Sequence, residues 1–339
     1  MFHRNTLLTY PALLITSSAK GFEALGRKIG MRGKEVAKWV NSASKNYDLL
    51  NYLAVKILGN KKKLTLILDD TLVKKPYSQA TEGCEGQYDT KLYQRVMGYK
   101  ALIGMITDGT ISLPLTSIFL FSKDIFPEQK ESRFDYTKKI ILKVINLFPQ
   151  TKITVVADGA FATKEFFRWC VDNKIALETR IRSNCTVIYK GQKVAINKLK
   201  NLKPKGRQMA RTIEAMWHGI PIFITAQRRI DKHHNETIVF QASTFEAKPI
   251  EHVRIYRQRW FIEQFFRTAK QLLGLQNCYS NKVETQENHV SSVLLAYALV
   301  QLHRKKKRLQ TPEAAIRAVE FKNSATFIRY LDLQDHLIH

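Results

Sequence analysis

Two short apolar segments, each with an aspartate directly after its apolar run, limit the folds open to this chain. The first is "LTLILDD", beginning at Leu64, and the second is "KITVVADGAF", beginning at Lys152. Both are rich in aliphatic and β-branched residues, which is typical of strands buried on both faces. Buried strands need helices packed on each side, so the pattern predicts an α/β sheet with Asp69 or Asp70, and Asp158, at strand ends.

The segments around these two strands supply the rest of the sheet. Two more strands follow from Tyr99, joined at the hairpin signal Asp108-Gly109. Helical spacing begins at Phe134, a second helix starts after Thr163, and "ALETRIR" reads as another strand. The order is three strands, helix, strand, helix, strand, which predicts a mixed α/β sheet.

The charge of the chain indicates a polyanionic partner. Lys and Arg number 55 against 29 acidic residues, a formal net charge of +26 in 339 residues. Such a balance favours nucleic acid, because phosphate contacts are what a strongly basic surface binds best. A membrane is excluded as partner, since no apolar run approaches the roughly 18 residues needed to span one.

The cysteines indicate a reducing compartment. Cys84, Cys170, Cys185 and Cys278 are scattered and form no C-x-x-C pair. This spacing argues against a zinc site and against a disulfide framework, and it favours a reducing compartment such as the cytoplasm.

Two regions outside the sheet carry concentrated positive charge. Residues 21–44, "GFEALGRKIGMRGKEVAKWVNSAS", predict two short helices joined at "GMR", and they fit a helix-turn-helix or an ordinary basic helical hairpin equally well. Residues 184–235 form short β-like runs with eleven Lys and Arg against two acids. We interpret the second region as a basic β-rich insertion within the α/β domain.

The segment "YRQRWFIEQFFRTAK", beginning at Tyr256, predicts an amphipathic helix of about four turns. Tyr256, Arg259, Glu263, Arg267 and Lys270 fall on one face, and the apolar residues gather on the other. A solvated face with an ordinary Glu–Arg pair is the simpler interpretation. The alternative is a carboxylate with a task, flanked by cations that hold a polyanion.

Three carboxylates meet the requirements of a metal site. Asp69 and Asp158 end apolar runs, and Glu263 lies on the later helix. Carboxylate oxygens are hard ligands suited to one or two Mg²⁺ ions, with Mn²⁺ as the expected substitute. Two such ions can activate an attacking water and stabilise a leaving 3′ oxygen in phosphodiester chemistry.

These residues resemble a known family. The spacing Tyr256-x2-Arg259-x3-Glu263-x6-Lys270 resembles the Y-R-E-K signature of DDE transposases of the insertion sequence 4 type. The segments "LDDT" and "ADGAF" resemble the two aspartate motifs of that family, in the same order. The resemblance covers roughly residues 64–279, most of the chain.

The resemblance implies a fold and an activity. The fold is a ribonuclease H-like mixed sheet flanked by helices, interrupted by a β-rich insertion and preceded by a small helical N-terminal region. The activity is Mg²⁺-dependent cleavage of transposon ends and strand transfer, on double-stranded DNA that carries the terminal repeats and the target. A homodimeric synaptic complex in the bacterial cytoplasm, associated with the nucleoid, is implied as well.

The resemblance also assigns roles to single residues. Asp69, Asp158 and Glu263 match the metal-binding catalytic triad, and Asp69 is preferred to Asp70 because Thr71 completes the family's D-x-T pattern. DNA phosphates are the implied partners of Tyr256, Arg259 and Lys270, with Arg267 on the same helix face. Trp217 in the insertion is a candidate for stacking on a flipped base, and β-core packing is its alternative.

Two alternative functions stay open. They are a two-metal nuclease that cuts without joining, and an inactive remnant that occupies transposon ends.

The predicted organisation divides the chain into five parts. The parts are residues 1–60, the helical N-terminal region with the helix-turn-helix candidate; 61–183, the first part of the catalytic core; 184–249, the basic insertion; 250–305, the second part of the core; and 306–339, a basic tail with a short helix.

Overall fold

The computed structural model describes residues 8–42, 46–78, 80–89, 92–127, 131–230, 235–319, 326–327 and 331. The helices within these residues are α1 (Thr9–Thr16), α2 (Phe22–Ile29), α3 (Gly33–Ser42), α4 (Tyr47–Leu58), α5 (Arg133–Leu147), α6 (Lys164–Asp172), α7 (Pro249–Arg257), α8 (Trp260–Gln271), α9 (Val283–Lys306) and α10 (Pro312–Arg317). The strands are β1 (Lys63–Lys74), β2 (Glu85–Asp89), β3 (Gln94–Thr107), β4 (Ser112–Leu120), β5 (Lys152–Ala157), β6 (Ala176–Ile181), β7 (Thr186–Tyr189), β8 (Gln192–Ala195), β9 (Ala210–Trp217), β10 (Ile220–Ile230) and β11 (Glu236–Ser243).

These strands form one mixed sheet in the order β2-β3-β1-β5-β6-β11-β10-β9-β7-β8, with β4 paired to β3. β1 is antiparallel to β3 and parallel to β5, and β5 is parallel to β6. Helices α5 and α8 both pack against β1. The mixed α/β sheet flanked by helices that the sequence predicts is confirmed.

The first strand runs further than its apolar segment indicated. β1 continues past Asp69 and Asp70 to Lys74, because β3 keeps pairing with it over that whole length. The strand end predicted at these aspartates is therefore wrong for β1 itself. What ends there is the pairing with β5, whose last partner on β1 is Leu68.

The hairpin between β3 and β4 turns at the residues that the sequence indicated. Asp108 accepts hydrogen bonds on Oδ1 from the backbone N–H groups of Thr110 (2.9 Å) and Ile111 (3.0 Å). Gly109 has φ of 89°, a conformation that favours glycine. The short strand β2 was not predicted. It lies at the edge of the sheet and its burial alternates without an apolar run, so it lacked the signal that revealed β1 and β5.

The strands of residues 184–249 continue the same sheet. β11 pairs antiparallel with β6, aligning Phe240 with Ile181, and β10, β9, β7 and β8 extend outward from it. The segment with high positive charge is therefore joined through β6 and β5 to β1 by backbone hydrogen bonds.

A long buried helix, α9, connects the sheet to the N-terminal helices. It packs against β4, α1 and α3. Burial lowers the pKa of His289 on α9 to about 3, so its ring is neutral. Its Nδ1 then accepts from the Tyr10 hydroxyl at 2.7 Å, while Nε2–H donates to the Gly274 carbonyl at 2.8 Å. The N-terminal helices are thus docked on the core through buried polar contacts.

Helices α2 and α3 occupy the segment for which a helix-turn-helix was considered. Gly30 ends α2 with φ of 72°, and Val36 and Val40 of α3 are buried. Lys34 and Lys38 of α3 are both exposed. A DNA-binding role for this pair of helices stays a prediction.

The single four-turn helix predicted from Tyr256 is wrong in one respect. The structure has two helices, α7 and α8, separated at Gln258 and Arg259. The backbone stays right-handed there, but the N–H groups of Gln258, Arg259, Phe261 and Ile262 bond three residues back instead of four. The turn is tightened into 3-10 geometry without any Pro or Gly to announce it.

The C-terminal part adds little described structure. α10 begins after Thr311, whose hydroxyl accepts from the Ala314 N–H at 3.1 Å. Most of residues 320–339 of the predicted basic tail lie outside the described residues. Among the described helices, none is both long and apolar enough to cross a membrane.

Candidate active site

The two predicted aspartates lie side by side where two strands separate. β5 pairs in parallel with β1 up to Ala157 opposite Leu68. The next residues along the two strands are Asp158 and Asp69, so the register brings these carboxylates to adjacent positions. Their charges interact, since the carboxylate of Asp158 helps to raise the pKa of Asp69.

Each aspartate is oriented by a backbone N–H close to it in the chain. Asp69 accepts on Oδ1 from the N–H of Asp70 at 2.9 Å. Asp158 accepts on Oδ1 from the N–H of Ala160 at 2.9 Å, at the start of a 3-10 turn over Gly159–Phe161. The second oxygen of each carboxylate is left for other partners.

Arg259 connects Asp69 to Glu263. Its Nη1 donates to Asp69 Oδ2 at 2.6 Å, and its Nη2 pairs with Glu263 Oε1 one turn later on α8. All three side chains are partly exposed. The guanidinium therefore occupies the position between two of the three predicted ligands and balances their charge.

Burial raises the pKa of Asp69 to about 7. The Arg259 guanidinium opposes this rise, while the carboxylates of Asp158 and Asp70 add to it. A nearby positive charge, whether guanidinium or metal, stabilises the ionised form of a carboxylate that is partly buried beside other carboxylates.

Asp70 points to the opposite side of the sheet. Its Oδ2 accepts from Arg133 Nη1 at 2.9 Å and lies 3.4 Å from Lys100 Nζ. This is the alternation expected for neighbours in a strand, and it leaves only Asp69 facing Arg259 and Glu263. The choice of Asp69 as a metal ligand stays a prediction.

Tyr256 of α7 is largely buried beside the aspartates. Burial raises the pKa of its hydroxyl, Arg259 and Arg180 lower it, and Asp158 raises it further. The Arg180 guanidinium lies 5.5 Å from the centre of the Tyr256 ring. The structure thus brings Tyr256 together with Arg259 and Asp158.

Three arginines near this site were missed in the sequence. Arg229 of β10 has its pKa lowered by burial and then by the charges of Arg180 and Arg257, while Tyr256 and Glu263 oppose the change. Three elements therefore crowd cations beside the carboxylates. Arg180 lies near the end of strand β6 next to β5, so the reasoning that found Asp158 could also have found it.

The remaining predicted DNA contacts lie along α8. Arg267 lies 5.5 Å from the centre of the Trp260 ring and 3.6 Å from Glu313, and Lys270 Nζ lies 6.0 Å from the Phe266 ring. Trp260 itself is 53% exposed. An exposed tryptophan directly after Arg259 is a further surface feature that the sequence did not single out.

Trp217 is not brought to the carboxylates. It is 5% exposed at the end of β9, and Phe167 of α6 packs edge to face against it with ring centres 5.3 Å apart. This is the β-core packing that was the alternative for Trp217. A role in stacking on a base would require the side chain to leave that packing.

The donor chemistry fits a divalent cation, but the arrangement is not closed around one. Asp69, Asp158 and Glu263 offer hard carboxylate oxygens. In the described part of the chain, no three His, Cys, Asp or Glu side chains are grouped closely enough to hold a metal ion as they stand. The Arg259 guanidinium lies between Asp69 and Glu263 and pairs with both.

Some solved structures match this chain, at low similarity. The NurA nuclease from Sulfolobus solfataricus shares 10% identity with a TM-score of 0.29, covering 67% of this chain and 85% of that one. The Mos1 strand transfer complex shares 10% identity with a TM-score of 0.19, covering 52% and 58%. A pre-cleavage Mos1 transpososome shares 8% with a TM-score of 0.19, covering 53% and 59%. TM-scores this low identify no function.

The family assignment comes from a match between this chain and the sequence profile of one protein family. No curated protein matches the chain significantly. The profile described as "Transposase DDE domain" matches residues 60–299, which span every strand of the sheet, the two aspartates and Glu263. The match covers more than half of the chain, and the chain therefore belongs to the family of transposases with a DDE domain.

Proposed function

We propose that this protein is a DDE transposase of the insertion sequence 4 type that cuts transposon ends and joins them to target DNA. One observation carries the proposal. Asp69 and Asp158 lie side by side where β1 and β5 separate, and Arg259 connects Asp69 to Glu263 on the helix that carries the Y-R-E-K spacing. The family assignment supports the class of activity, and the residues support this particular form of it.

Asp69, Asp158 and Glu263 are the residues that would hold Mg²⁺, with two ions expected and Mn²⁺ as substitute. Bound there, the ions would supply an activated water and stabilise the leaving 3′ oxygen. The chain's own contribution is to aim the carboxylates. The N–H groups of Asp70 and Ala160 orient Asp69 and Asp158, and Arg259 balances the charges of Asp69 and Glu263.

Arg259 then has a second task. With the two carboxylates held by metal ions, its guanidinium would be able to donate two parallel hydrogen bonds to a DNA phosphate. Tyr256, Lys270 and Arg267 are proposed as further phosphate contacts on the same two helices. The crowding of Arg180, Arg229 and Arg257 supports a polyanion on this side, because their mutual repulsion would be relieved by phosphates.

The partner is double-stranded DNA bearing the terminal repeats of the element and, later, target DNA. We propose a homodimer that pairs two ends in the bacterial cytoplasm, on the nucleoid. The N-terminal helices α2 and α3 present Lys34 and Lys38 outward and are docked on α9, so the sequence they bind would lie at a fixed distance from the cut.

The decisive experiment is cleavage of a duplex carrying the terminal sequences that flank the reading frame. Wild-type protein with Mg²⁺ is expected to cut at the end and to yield joined products with a target duplex. Asp69→Ala is the matched inactive control. Cutting without joined products would favour a two-metal nuclease, and end binding without cutting would favour an inactive remnant.

A further inference from the structure

Arg133 makes contacts that the proposed mechanism does not use. It is the first residue of α5 and its side chain is 19% exposed. Nη1 donates to Asp70 Oδ2 at 2.9 Å, and Nη2 donates to the backbone carbonyl of Ala160 at 2.9 Å. The guanidinium carbon lies 4.1 Å from the centre of the Phe161 ring.

The two partners of Arg133 are the two residues that orient the catalytic aspartates. The N–H of Asp70 holds Asp69, and the N–H of Ala160 holds Asp158. One guanidinium therefore connects, through a single residue on each side, the backbone donors of both carboxylates. β1 and the turn after β5 are fixed relative to each other at the point where the two carboxylates must converge.

The position of Arg133 indicates a specific task. A cation in the first turn of a helix is opposed by the helix dipole. The backbone there is nevertheless well defined, since Ser132 and Asp135 form a reciprocal capping box. The helix dipole disfavours Arg133 at this position. The contacts that its side chain makes with Asp70 and Ala160 explain why an arginine is found there.

Arginine is required for this set of contacts. Its planar guanidinium donates in two directions at once and presents a flat face to an aromatic ring. A lysine offers one compact ammonium group, so it could reach Asp70 or the Ala160 carbonyl but could not hold both. Lys100 illustrates the difference, since it contributes charge to Asp70 at 3.4 Å from the same side of the sheet.

We propose that Arg133 is a positioning residue that sets the distance between Asp69 and Asp158 by bridging Asp70 and Ala160. The inference rests on the proposed function, because that distance matters only if both carboxylates bind metal. It adds a residue outside the triad and outside the Y-R-E-K helix on which metal affinity depends.

The test compares Arg133→Lys and Arg133→Gln with Lys100→Gln in the full-length protein. Metal uptake is measured as the Mn²⁺ concentration that half-maximally raises the melting temperature. Single-turnover cleavage of the end duplex is measured against Mg²⁺ concentration, and end affinity is measured in Ca²⁺. Removing a contact that orients metal ligands typically costs about 10–100-fold in metal affinity or activity.

Both Arg133 variants are expected to need about 10-fold more Mn²⁺ or Mg²⁺ and to cut about 10–100-fold more slowly, with end affinity within about threefold of wild type. Lys100→Gln is expected to stay within about twofold in all three measurements, because it removes charge from Asp70 without touching Ala160. High Mg²⁺ should restore part of the cleavage rate of Arg133→Lys, which a general folding defect would not allow.

Arg133→Lys with the metal requirement of wild type would overturn the inference, and so would equal defects in Arg133→Lys and Lys100→Gln. A loss of cleavage that disappears once rates are corrected for the folded fraction would also overturn it. Wild-type protein that neither cuts nor takes up Mn²⁺ would overturn the proposed function itself. Wild-type protein that does both while Arg133→Lys matches it would overturn only the role of Arg133.

Discussion

The proposed site, at the edge of the layer where β1 and β5 separate, and the interior of the sheet use the same residue types in opposite ways. At the edge, Asp69, Glu263 and Trp260 are partly exposed, and the cation paired with the two carboxylates, Arg259, belongs to a helix end. In the interior, the corresponding types are enclosed. Glu178 is fully buried against His252, and Trp217 packs on Phe167. On the other face of β1, Asp70 is no less exposed than Asp69, but Arg133 and Lys100 both approach its Oδ2.

The difference shows that surroundings, rather than residue type, separate a reactive group from a structural one. An edge carboxylate keeps an oxygen available and a partner that can be exchanged. An interior carboxylate has its charge fixed by partners on neighbouring elements, so exchanging a partner costs the free energy of leaving a buried group unpaired. Each matched pair of residues gives a way to test that distinction.

The pair Asp69 and Asp70 carries the largest expected effect. Asp69→Ala, and likewise Asp158→Ala or Glu263→Ala, should lower single-turnover cleavage by about 10³-fold or more, because a metal ligand contributes several kcal/mol at the transition state. Asp70→Asn should lower it by no more than about 100-fold, since Asp70 acts only through its neighbours. End affinity, measured by band shift, should stay largely unchanged in all four variants.

One result would reverse the assignment of Asp69, rather than Asp70, as the metal ligand. If Asp70→Asn abolishes cutting while Asp69→Ala still cuts, the ligand is Asp70 and the metal site lies on the other face of β1. Near-normal cutting by any one of the triad variants would remove that residue from the metal site.

The tryptophan pair should separate stability from DNA binding. Trp217→Ala should lower the free energy of unfolding by about 3–5 kcal/mol, because it empties a packed position in the core. Trp260→Ala should change stability by less than about 0.5 kcal/mol, as expected of an exposed residue. It should weaken end binding by about 1–3 kcal/mol if the exposed ring stacks on a base.

Urea unfolding and end affinity, measured on both tryptophan variants, check these values. A Trp217→Ala variant that unfolds like wild type but loses end binding would restore the base-stacking role predicted from the sequence. Equal end affinity for Trp260→Ala and wild type would show that this ring only shields Arg267.

Replacing Arg259 tests whether its pairing with two carboxylates is its whole task. Arg259→Ala should impair assembly on cleaved ends and slow cutting by about 1–3 kcal/mol for each lost charge-assisted contact. Lys270→Ala should show a smaller defect of the same kind. Thermal stability, end affinity and single-turnover cleavage are the measurements, with the exposed Lys143→Ala as control. If Arg259→Ala cuts as fast as wild type, the pairing of Arg259 with Asp69 and Glu263 is only an ion pair on a solvated helix face.

The sequence predicted those parts of the site that follow from a local pattern. An apolar run followed by an acid indicates where a buried strand reaches the edge of its layer, so the local pattern pointed to Asp69 or Asp70 and to Asp158, while the choice of Asp69 came from the resemblance to a known family. The fixed spacing on one helix face pointed to Arg259 and Glu263. The edge strand β2 and the 3-10 turn at Gln258 carry no such pattern, and neither was predicted.

The contacts between distant segments could not be predicted. Among 55 Lys and Arg residues, nothing local distinguishes Arg133, which meets Asp70 and Ala160 only after β1, α5 and β5 have packed. The same holds for Trp217, whose burial depends on α6 lying against the insertion strands. The sequence states which groups are chemically able to act, and packing decides which of them are left accessible.

The interior carboxylate Glu178 gives a pH-dependent test of the same comparison. Burial raises its pKa to about 7, although the His252 imidazole at 2.6 Å opposes the rise. Between the ordinary glutamate pKa of about 4.3 and about 7, the folded state keeps a proton that the unfolded state releases. The free energy of unfolding should therefore fall as pH rises through this range, and this contribution is fully lost above about pH 7.

Glu178→Gln removes the titrating group, so its free energy of unfolding should fall less between pH 4.5 and 7 than that of wild type. The expected difference across the range is about 1–3 kcal/mol, measured by urea unfolding in metal-free buffer. Glu165→Gln, an exposed change on α6, is the control and should follow wild type. Asp69 contributes in the same direction but is present in all three proteins, so it cancels. If Glu178→Gln keeps the full pH dependence of wild type, Glu178 is ionised in the folded protein, and its charge is held by His252 much as Arg259 holds that of Asp69.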